Sequence, residues 1–285
     1  MLMNRLSTLT ALAVMLAWPA MAISENDLPQ ALERARFVAP EARQGVAVGR
    51  DRFYAIDNRR IAAYDRQSGR LLVQWTGDPE RFTHLNSCAV AGSELVCAHS
   101  NYPNVPMESS IEWFDAVSLR HLRSHRLEPG IGSLTWIVPH EGAWWAAFAN
   151  YDGKGGEPGR DHRLTTLVRY DTAFERRESW LFPTQVLSRF APYSTSGGTW
   201  GSDGMLYVTG HDRPEVYVLS VSQDSSELSH VATIAVPTAG QAVAWDPWQD
   251  RTLWSIDRAS GEVVMSQLPV VFSSKKCADD CDLCL

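Results

Sequence analysis

A pattern of short alternating strands separated by turn residues recurs about five times along this sequence, at intervals of roughly 40 to 55 residues. The first strands of the repeats begin at Gln44, His84, Gly132, Gly197 and Gly240. An aromatic residue followed by Asp marks the end of the third strand in three repeats, at Tyr64-Asp65, Phe114-Asp115 and Tyr170-Asp171. Four antiparallel strands repeated around an axis form a propeller blade. The sequence therefore predicts an all-β fold, a five-bladed β-propeller.

The two ends of the repeat array predict how the ring closes. The last repeat lacks a clear fourth strand, whereas the segment RARFVAP at residues 34–40 precedes the first repeat. If this N-terminal strand joins the last blade, no strand edge is left open. A six-bladed ring is the alternative if residues 185–194 supply a degenerate strand, and a β-sandwich is a further one. A brief helix is predicted near residues 26–34.

The N-terminal residues 1–22 are typical of an export signal. Arg5 supplies the positive charge, residues 9–18 the apolar stretch, and Ala20-Met21-Ala22 a cleavage motif. A membrane anchor is the alternative, but the apolar run is short and Pro19 interrupts its end. We therefore expect a periplasmic or secreted protein without membrane association, with a propeller domain at residues 23–272 and a Cys-rich tail at residues 273–285.

Charge and cysteine content narrow the choice of partners. The net charge of -7 and the pI near 5.6 argue against a nucleic-acid partner, because such proteins carry a basic face. Cys277, Cys281 and Cys284 stand in the tail, and a structural zinc site would need a fourth ligand. A disulfide with one remaining thiol, or a link to another chain that makes an oligomer, explains the tail equally well.

The remaining two cysteines flank a predicted hairpin. Cys88 and Cys97 stand on either side of AVAGSELV, and Gly92-Ser93 suits a two-residue turn. Counting outward from that turn makes the two cysteines face each other at a non-hydrogen-bonded position, where side chains approach most closely. A cross-strand disulfide is predicted, with two packed free thiols as the alternative.

The same hairpin predicts a polar cluster. Continued outward, the pairing makes Asn86 face His99 and His84 face Asn101, all on the side of the sheet that carries the cysteines. In a propeller, the loops between second and third strands share one rim with the starts of the first strands. The hairpin would therefore place this cluster at the mouth of the central channel.

Other polar residues are predicted to reach the same rim, whereas the opposite rim receives ordinary turns. We take as catalytic candidates His84, His99 and His211, and as substrate-binding candidates Asn86, Ser100, Asn101, Tyr102, Tyr151, Arg213 and Gln241. Imidazole exchanges protons near neutral pH, and Tyr and Arg side chains bind carbonyl and carboxylate groups. The alternative is that these groups only cap blade ends and loop backbones.

A divalent metal is a second way to use the same residues. His84, His99, His211 and Asp212 could bind zinc, or less suitably calcium, if the fold brings them together. No close-spaced metal motif supports this, and the cofactor is otherwise unknown. The sequence also lacks the G-x-S-x-G motif of serine hydrolases and the phosphate-binding glycine motifs.

Four runs of the sequence resemble a known family: residues 84–115 (HLNSCAVAGSELVCAHSNYPNVPMESSIEWFD), residues 132–136 (GSLTW), residues 196–219 and residues 240–246. They are similar to exported β-propellers of unassigned activity that are sometimes labelled cycloisomerase, with lactonase-like propellers as distant relatives. The matching positions are His84, Asn86, His99, Ser100, Asn101, Tyr102, His211 and Asp212.

Together these patterns favour a small-molecule site at the channel mouth. The resemblance implies acid–base or metal-assisted chemistry of the lactonase or cycloisomerase kind on a polar organic substrate. A non-catalytic propeller that binds a ligand or another protein is the alternative. Changing His99 or His211 to Ala distinguishes the two, because a catalyst would lose turnover while keeping its fold.

Overall fold

The computed structural model describes residues 28–271, which form five antiparallel four-stranded sheets arranged in a ring. Blade 1 contains β2 (Gly45–Val48), β3 (Arg52–Asp57), β4 (Arg60–Asp65) and β5 (Leu71–Thr76). Blade 2 contains β6 (His84–Ala91), β7 (Glu94–Ser100), β8 (Ser109–Asp115) and β9 (His121–Arg126). Blade 3 contains β10 (Ser133–His140), β11 (Ala143–Ala149), β12 (Thr166–Tyr170) and β13 (Arg176–Leu181). Blade 4 contains β14 (Gly197–Trp200), β15 (Leu206–Thr209), β16 (Glu215–Ser220) and β17 (Ser229–Ala235). Blade 5 contains β18 (Ala244–Trp245), β19 (Thr252–Asp257), β20 (Glu262–Gln267) and β1 (Leu32–Val38). The predicted five-bladed β-propeller is confirmed.

Strand β1 closes the ring as predicted. It pairs antiparallel with β20, from Leu32 opposite Gln267 to Val38 opposite Glu262. The brief helix predicted near residues 26–34 is wrong in its described part, because residues 32–34 already belong to this strand. The unpaired edge of the last blade accounts for the difference, since a strand there satisfies a whole row of backbone groups.

The segment that suggested a sixth blade forms a helix instead. Helix α1 (Thr184–Phe190) lies between blades 3 and 4, and it buries Val186, Leu187 and Phe190 against them. Its apolar residues therefore have the spacing of one helical face and not of a strand. The six-bladed alternative is excluded.

The hydrophobic core consists of separate clusters, one between each pair of neighbouring blades. Strand β3 shows how the sequence produces them. Phe53 and Ala55 pack towards blade 5, whereas Tyr54 and Ile56 on the other face pack towards blade 2. Because both faces of an inner strand are buried, these strands are apolar along their whole length.

The aromatic–Asp pairs mark turns at the lower rim, which is the rim opposite the predicted site. Asp65 Oδ1 accepts hydrogen bonds from the backbone N–H and the hydroxyl of Ser68, at 2.8 and 2.6 Å. Asp115 makes the same pair of bonds with Ser118, both at 2.7 Å. The carboxylate thus stabilises each turn after the third strand, as Asp commonly does in turns.

The disulfide between Cys88 and Cys97 is confirmed. Ala91 pairs with Glu94, and Gly92 at the tip has a φ of 62°, as the predicted turn requires. A disulfide in a protein of this size indicates an oxidising, extracellular environment. The predicted export signal and the cysteines of the tail lie outside the described residues. Among residues 28–271 no helix has the length and apolar character that a membrane span needs.

The hairpin register changes above the disulfide. Cys88 faces Cys97, but a β-bulge follows, and Leu85 faces His99 while His84 faces Ser100. The predictions that Asn86 faces His99 and that His84 faces Asn101 are therefore wrong. One extra residue in a strand turns the side chains beyond it to the opposite face. This bulge decides which residues reach the channel mouth.

Candidate functional site

The upper rim, formed by the loops between second and third strands, carries a group of aromatic and polar side chains. We call this group the mouth cluster. It consists of His84 and Tyr102 from blade 2, Tyr151 from blade 3, Tyr193 and Gln241 from connections between blades, His211 from blade 4 and Arg258 from blade 5. Ring contacts, hydrogen bonds and mutual electrostatic effects connect most of its members.

Three rings form a row across blades 2 and 3. The centroid of Tyr102 lies 5.1 Å from that of His84 and 5.2 Å from that of Tyr151. Gly155 lies against the Tyr102 ring, where a Cβ atom would come within 2.5 Å of Cε2. Its φ of 81° also favours glycine. The glycine-rich loop of blade 3 thus fits closely over Tyr102.

The environment of His84 keeps its imidazole neutral. Burial, followed by unfavourable electrostatic interactions with His99 and Arg258, lowers the pKa of His84 to about 4. At neutral pH the ring can therefore accept a proton or a hydrogen bond. Burial raises the pKa values of Tyr102 and Tyr151, so both phenols stay protonated and can donate. The row combines an acceptor with two donors.

A second part of the mouth cluster centres on His211. Its ring stacks on Tyr193, with centroids 4.2 Å apart. Nδ1 lies 2.5 Å from Asp212 Oδ1, and Arg258 Nη1 lies 3.2 Å from Nε2. Because guanidinium can only donate, the bond from Arg258 places the imidazole proton on Nδ1, facing Asp212. Arg258 itself is exposed and supplies a positive charge at the mouth.

Gln241 is held in a conformation that is uncommon for its residue type. Its φ is 67°, and its side chain is only 3% exposed. Its N–H donates to Gly210 O at 3.0 Å, which ties this segment to the His211 loop. Among the described residues the side-chain nitrogen of Gln241 has no hydrogen-bond partner. A left-handed backbone with a buried, unpaired amide is a common feature of binding sites.

Several predicted binding residues use their side chains within the protein. Asn86 donates to Leu134 O of blade 3 at 2.8 Å, and Ser100 is fully buried. Asn101 closes its own loop by bonding Pro106 O at 2.9 Å and the N–H of Glu108 at 3.0 Å. The charge of Arg213 contributes to lowering the pKa of Glu215.

His99 belongs to a polar network within blade 2. Its Nε2 accepts from the N–H of Thr83 at 3.2 Å, and its Nδ1 lies 3.0 Å from Ser110 Oγ. Ser110 in turn donates to the buried Glu112 at 2.6 Å. Both ring nitrogens of His99 are therefore occupied by the protein.

Replacing His99 by Ala should reduce stability. Ser110 and the N–H of Thr83 would each lose a partner, so we expect the free energy of unfolding to fall by about 1–3 kcal/mol. Urea denaturation measures this, with His125→Ala on strand β9 as the control. A free energy of unfolding for His99→Ala equal to that of the wild type would show that the network contributes nothing.

The structure does not bring together the predicted metal ligands His84, His99, His211 and Asp212. Among residues 28–271 the one group with three ligand atoms within 4.8 Å of one another is Asp152, Asp161 and His162. These side chains already bond one another or Arg163. The four predicted ligands therefore do not form a joint metal-binding set in the described part of the chain.

Tyr193 and Arg258 were not among the predicted site residues. Arg258 follows the second strand of blade 5, so its place on the upper rim could be read from the repeat. No pattern distinguished it from the other exposed arginines. Tyr193 lies in the connection between α1 and β14, outside the repeated unit.

The ring of five sheets defines this protein as a β-propeller. No family model and no curated protein sequence matches the chain. A solved PQQ-bound aldose sugar dehydrogenase from Streptomyces coelicolor is similar, with 10% identity, a TM-score of 0.50 and coverage of 84% of this chain and 80% of that chain. A luciferin-regenerating enzyme has 13% identity and a TM-score of 0.47, over 86% of this chain and 94% of that chain. Virginiamycin B lyase from Staphylococcus aureus has 12% identity and a TM-score of 0.45, over 83% of this chain and 74% of that chain. At such identities the similarity concerns the propeller fold alone.

Proposed function

We propose that this protein is an exported enzyme that binds a small organic molecule with a carbonyl or carboxylate group at the mouth cluster. It acts on that molecule by acid–base chemistry of the lactonase or cycloisomerase kind. The export signal predicted from residues 1–22 and the disulfide support the compartment.

The observation that carries the proposal is the joint environment of His84, Tyr102 and Arg258. The positive charge of Arg258 acts on both of the other groups: it adds to the lowering of the pKa of His84 and offsets part of the rise that burial causes in the pKa of Tyr102. An acceptor, a donor and a cation thus come from blades 2 and 5, far apart in the sequence. Acid–base catalysis on an ester or an α-hydrogen next to a carboxylate needs these three kinds of group.

Each group has a definite role. The neutral imidazole of His84 takes a proton from water or from the substrate carbon. The protonated phenol of Tyr102 donates to the oxygen on which negative charge develops. Arg258 attracts and orients the carboxylate, and the unpaired amide of Gln241 donates to a further ligand oxygen.

The inner strands limit the site to the mouth. A Cβ atom on Gly45 would lie 3.1 Å from Asn86 O and 3.2 Å from Ala242 Cβ. A Cβ atom on Gly197 would lie 2.5 Å from Ala242 Cα. The central channel is therefore narrow below the mouth cluster, and a ligand would remain near the upper rim, within reach of His84.

Replacing Arg258 by Ala tests the proposal. Loss of a charged hydrogen bond should raise KM for an anionic lactone, or the dissociation constant of a hydroxycarboxylate, by roughly tenfold to a hundredfold. Acid release from a panel of lactones measures turnover, and calorimetry measures hydroxycarboxylate binding. Arg120→Ala, an exposed arginine at the lower rim, is the matched control. The proposal is wrong if the wild type neither turns over any lactone of the panel nor binds any hydroxycarboxylate. It is also wrong if Arg258→Ala and Arg120→Ala have the same KM or dissociation constant.

A further inference from the structure

Two neighbouring cavities lie at the lower rim, on the opposite side of the ring from the mouth cluster. The larger has a volume of 700 Å³ and opens below the central channel, and the smaller, of 410 Å³, lies between blades 3 and 4. His140, Glu141 and Trp200 line both of them. The sequence predicted only ordinary turns here.

A row of four aromatic rings forms the wall of the smaller cavity. His140 stacks on Trp200 with centroids 4.1 Å apart and an interplanar angle of 5°. Trp145 lies 4.9 Å from Trp200, and Trp180 stacks on Trp145 at 5.3 Å. Burial lowers the pKa of His140, so this ring is neutral at neutral pH. The edges and faces of this row that remain uncovered line the cavity with aromatic side chains.

Two of these indoles have an unpaired N–H group. Trp145 is 8% exposed, and the Nε1 atoms of both Trp145 and Trp200 are buried without a partner among the described residues. Other indoles are satisfied, because those of Trp136, Trp180 and Trp254 donate to Thr195, Ser222 O and Asp246. A buried donor without a partner destabilises the folded protein. Unpaired donors at one cavity indicate a ligand that supplies acceptors there.

The charged groups around the smaller cavity limit the kind of ligand. Arg169 forms an ion pair with Glu178, and the Glu141 side chain is 85% exposed. The lining therefore has an excess of carboxylates, which disfavours an anionic ligand. A purely apolar ligand would leave both indole N–H groups unpaired.

We propose that the smaller lower-rim cavity binds a saccharide. The C–H face of a sugar ring covers an indole face, its oxygens accept from the N–H groups of Trp145 and Trp200, and its hydroxyls donate to Glu141 and Glu178. A neutral polyhydroxylated ring satisfies the donors and the acceptors of this cavity together. The site is separate from the mouth cluster and does not depend on its chemistry.

Titration of the full chain with maltotriose, cellotriose and chitotriose tests the proposal. We expect saturable shifts of the indole N–H resonances of Trp145 and Trp200 in ¹H–¹⁵N spectra with at least one of these sugars. Trp145→Phe keeps a ring but removes the donor, so its affinity should fall about tenfold. Trp113→Phe, in the interface of blades 2 and 3, should bind as the wild type does.

Stability provides an independent check on the variant. Trp145→Phe removes part of a buried ring that packs on Trp180 and Trp200, so it should unfold at a somewhat lower urea concentration than the wild type while keeping its fold, as should the buried Trp113→Phe. His84→Asn should bind the sugar unchanged, which separates this proposal from the proposed enzymatic function. The proposal is overturned if no sugar shifts the two resonances or if Trp145→Phe binds as tightly as the wild type.

Discussion

A chain without residues 28–38 is expected to lose the folded propeller at room temperature. Strand β1 supplies the fourth strand of blade 5 and pairs with β20 along its length. Phe37 packs against Trp254 and Phe53, with centroids 5.8 and 5.2 Å away. Arg36 bonds Asp257 and Glu262 at 3.2 and 2.9 Å.

The loss of these contacts alone should lower the free energy of unfolding by several kcal/mol, and that free energy is typically about 5–15 kcal/mol in total. It also exposes the backbone edge of β20, which favours association between chains. Circular dichroism during heating and light scattering after size exclusion measure both effects. Two point variants test the contribution of single side chains. Phe37→Ala should lower the free energy of unfolding by about 2 kcal/mol. Leu32 is 55% exposed, so Leu32→Ala should leave that free energy almost unchanged. A deleted chain that stays monomeric and melts near the wild-type temperature would refute this account of ring closure.

Replacing His84 by Asn should lower the turnover of a lactone substrate by roughly 10²–10⁴-fold with the fold intact. The proposed base is lost, while a polar side chain remains in the same place. His125→Asn on outer strand β9 is the matched control and should keep the wild-type rate. A His84→Asn variant within a few-fold of the wild type would exclude His84 as the base.

The pH dependence gives the same hypothesis a second readout. A base must be deprotonated to act, and the pKa of His84 is lowered from 6.5 to about 4. The wild-type kcat/KM should therefore stay constant as pH falls through 6.5 and should decline only near pH 4. A decline centred near 6.5 would mean that an ordinary, solvated imidazole controls the reaction.

The propeller could be predicted from the sequence because its repeat is periodic and its inner strands are apolar on both faces. The Cys88–Cys97 pairing followed from a two-residue turn at Gly92-Ser93, which sets the register of the hairpin. The bulge beyond the disulfide could not be predicted, because this inner strand is buried on both faces around residues 85–88 and shows no apolar–polar alternation that an extra residue would interrupt. The register above Cys88 was therefore wrong by one residue.

The site was only partly predictable for a related reason. Sequence placed His84, Tyr102, Tyr151 and His211 on one rim through the blade topology. It could not tell that Thr83 and Ser110 occupy both ring nitrogens of His99. Such contacts join separate elements of the fold, and so do the stacked rings of the lower rim, which come from blades 3 and 4.

The pKa of His84 tests the central claim most directly. It can be measured by NMR titration of the imidazole resonances of ¹³C-labelled protein, with assignment by the His84→Asn variant. The account predicts a pKa of about 4 in the wild type and a higher value in Arg258→Ala, because a nearby positive charge is removed. A pKa near 6.5 that does not respond to Arg258→Ala would show that His84 is not buried and that the two residues do not form one site.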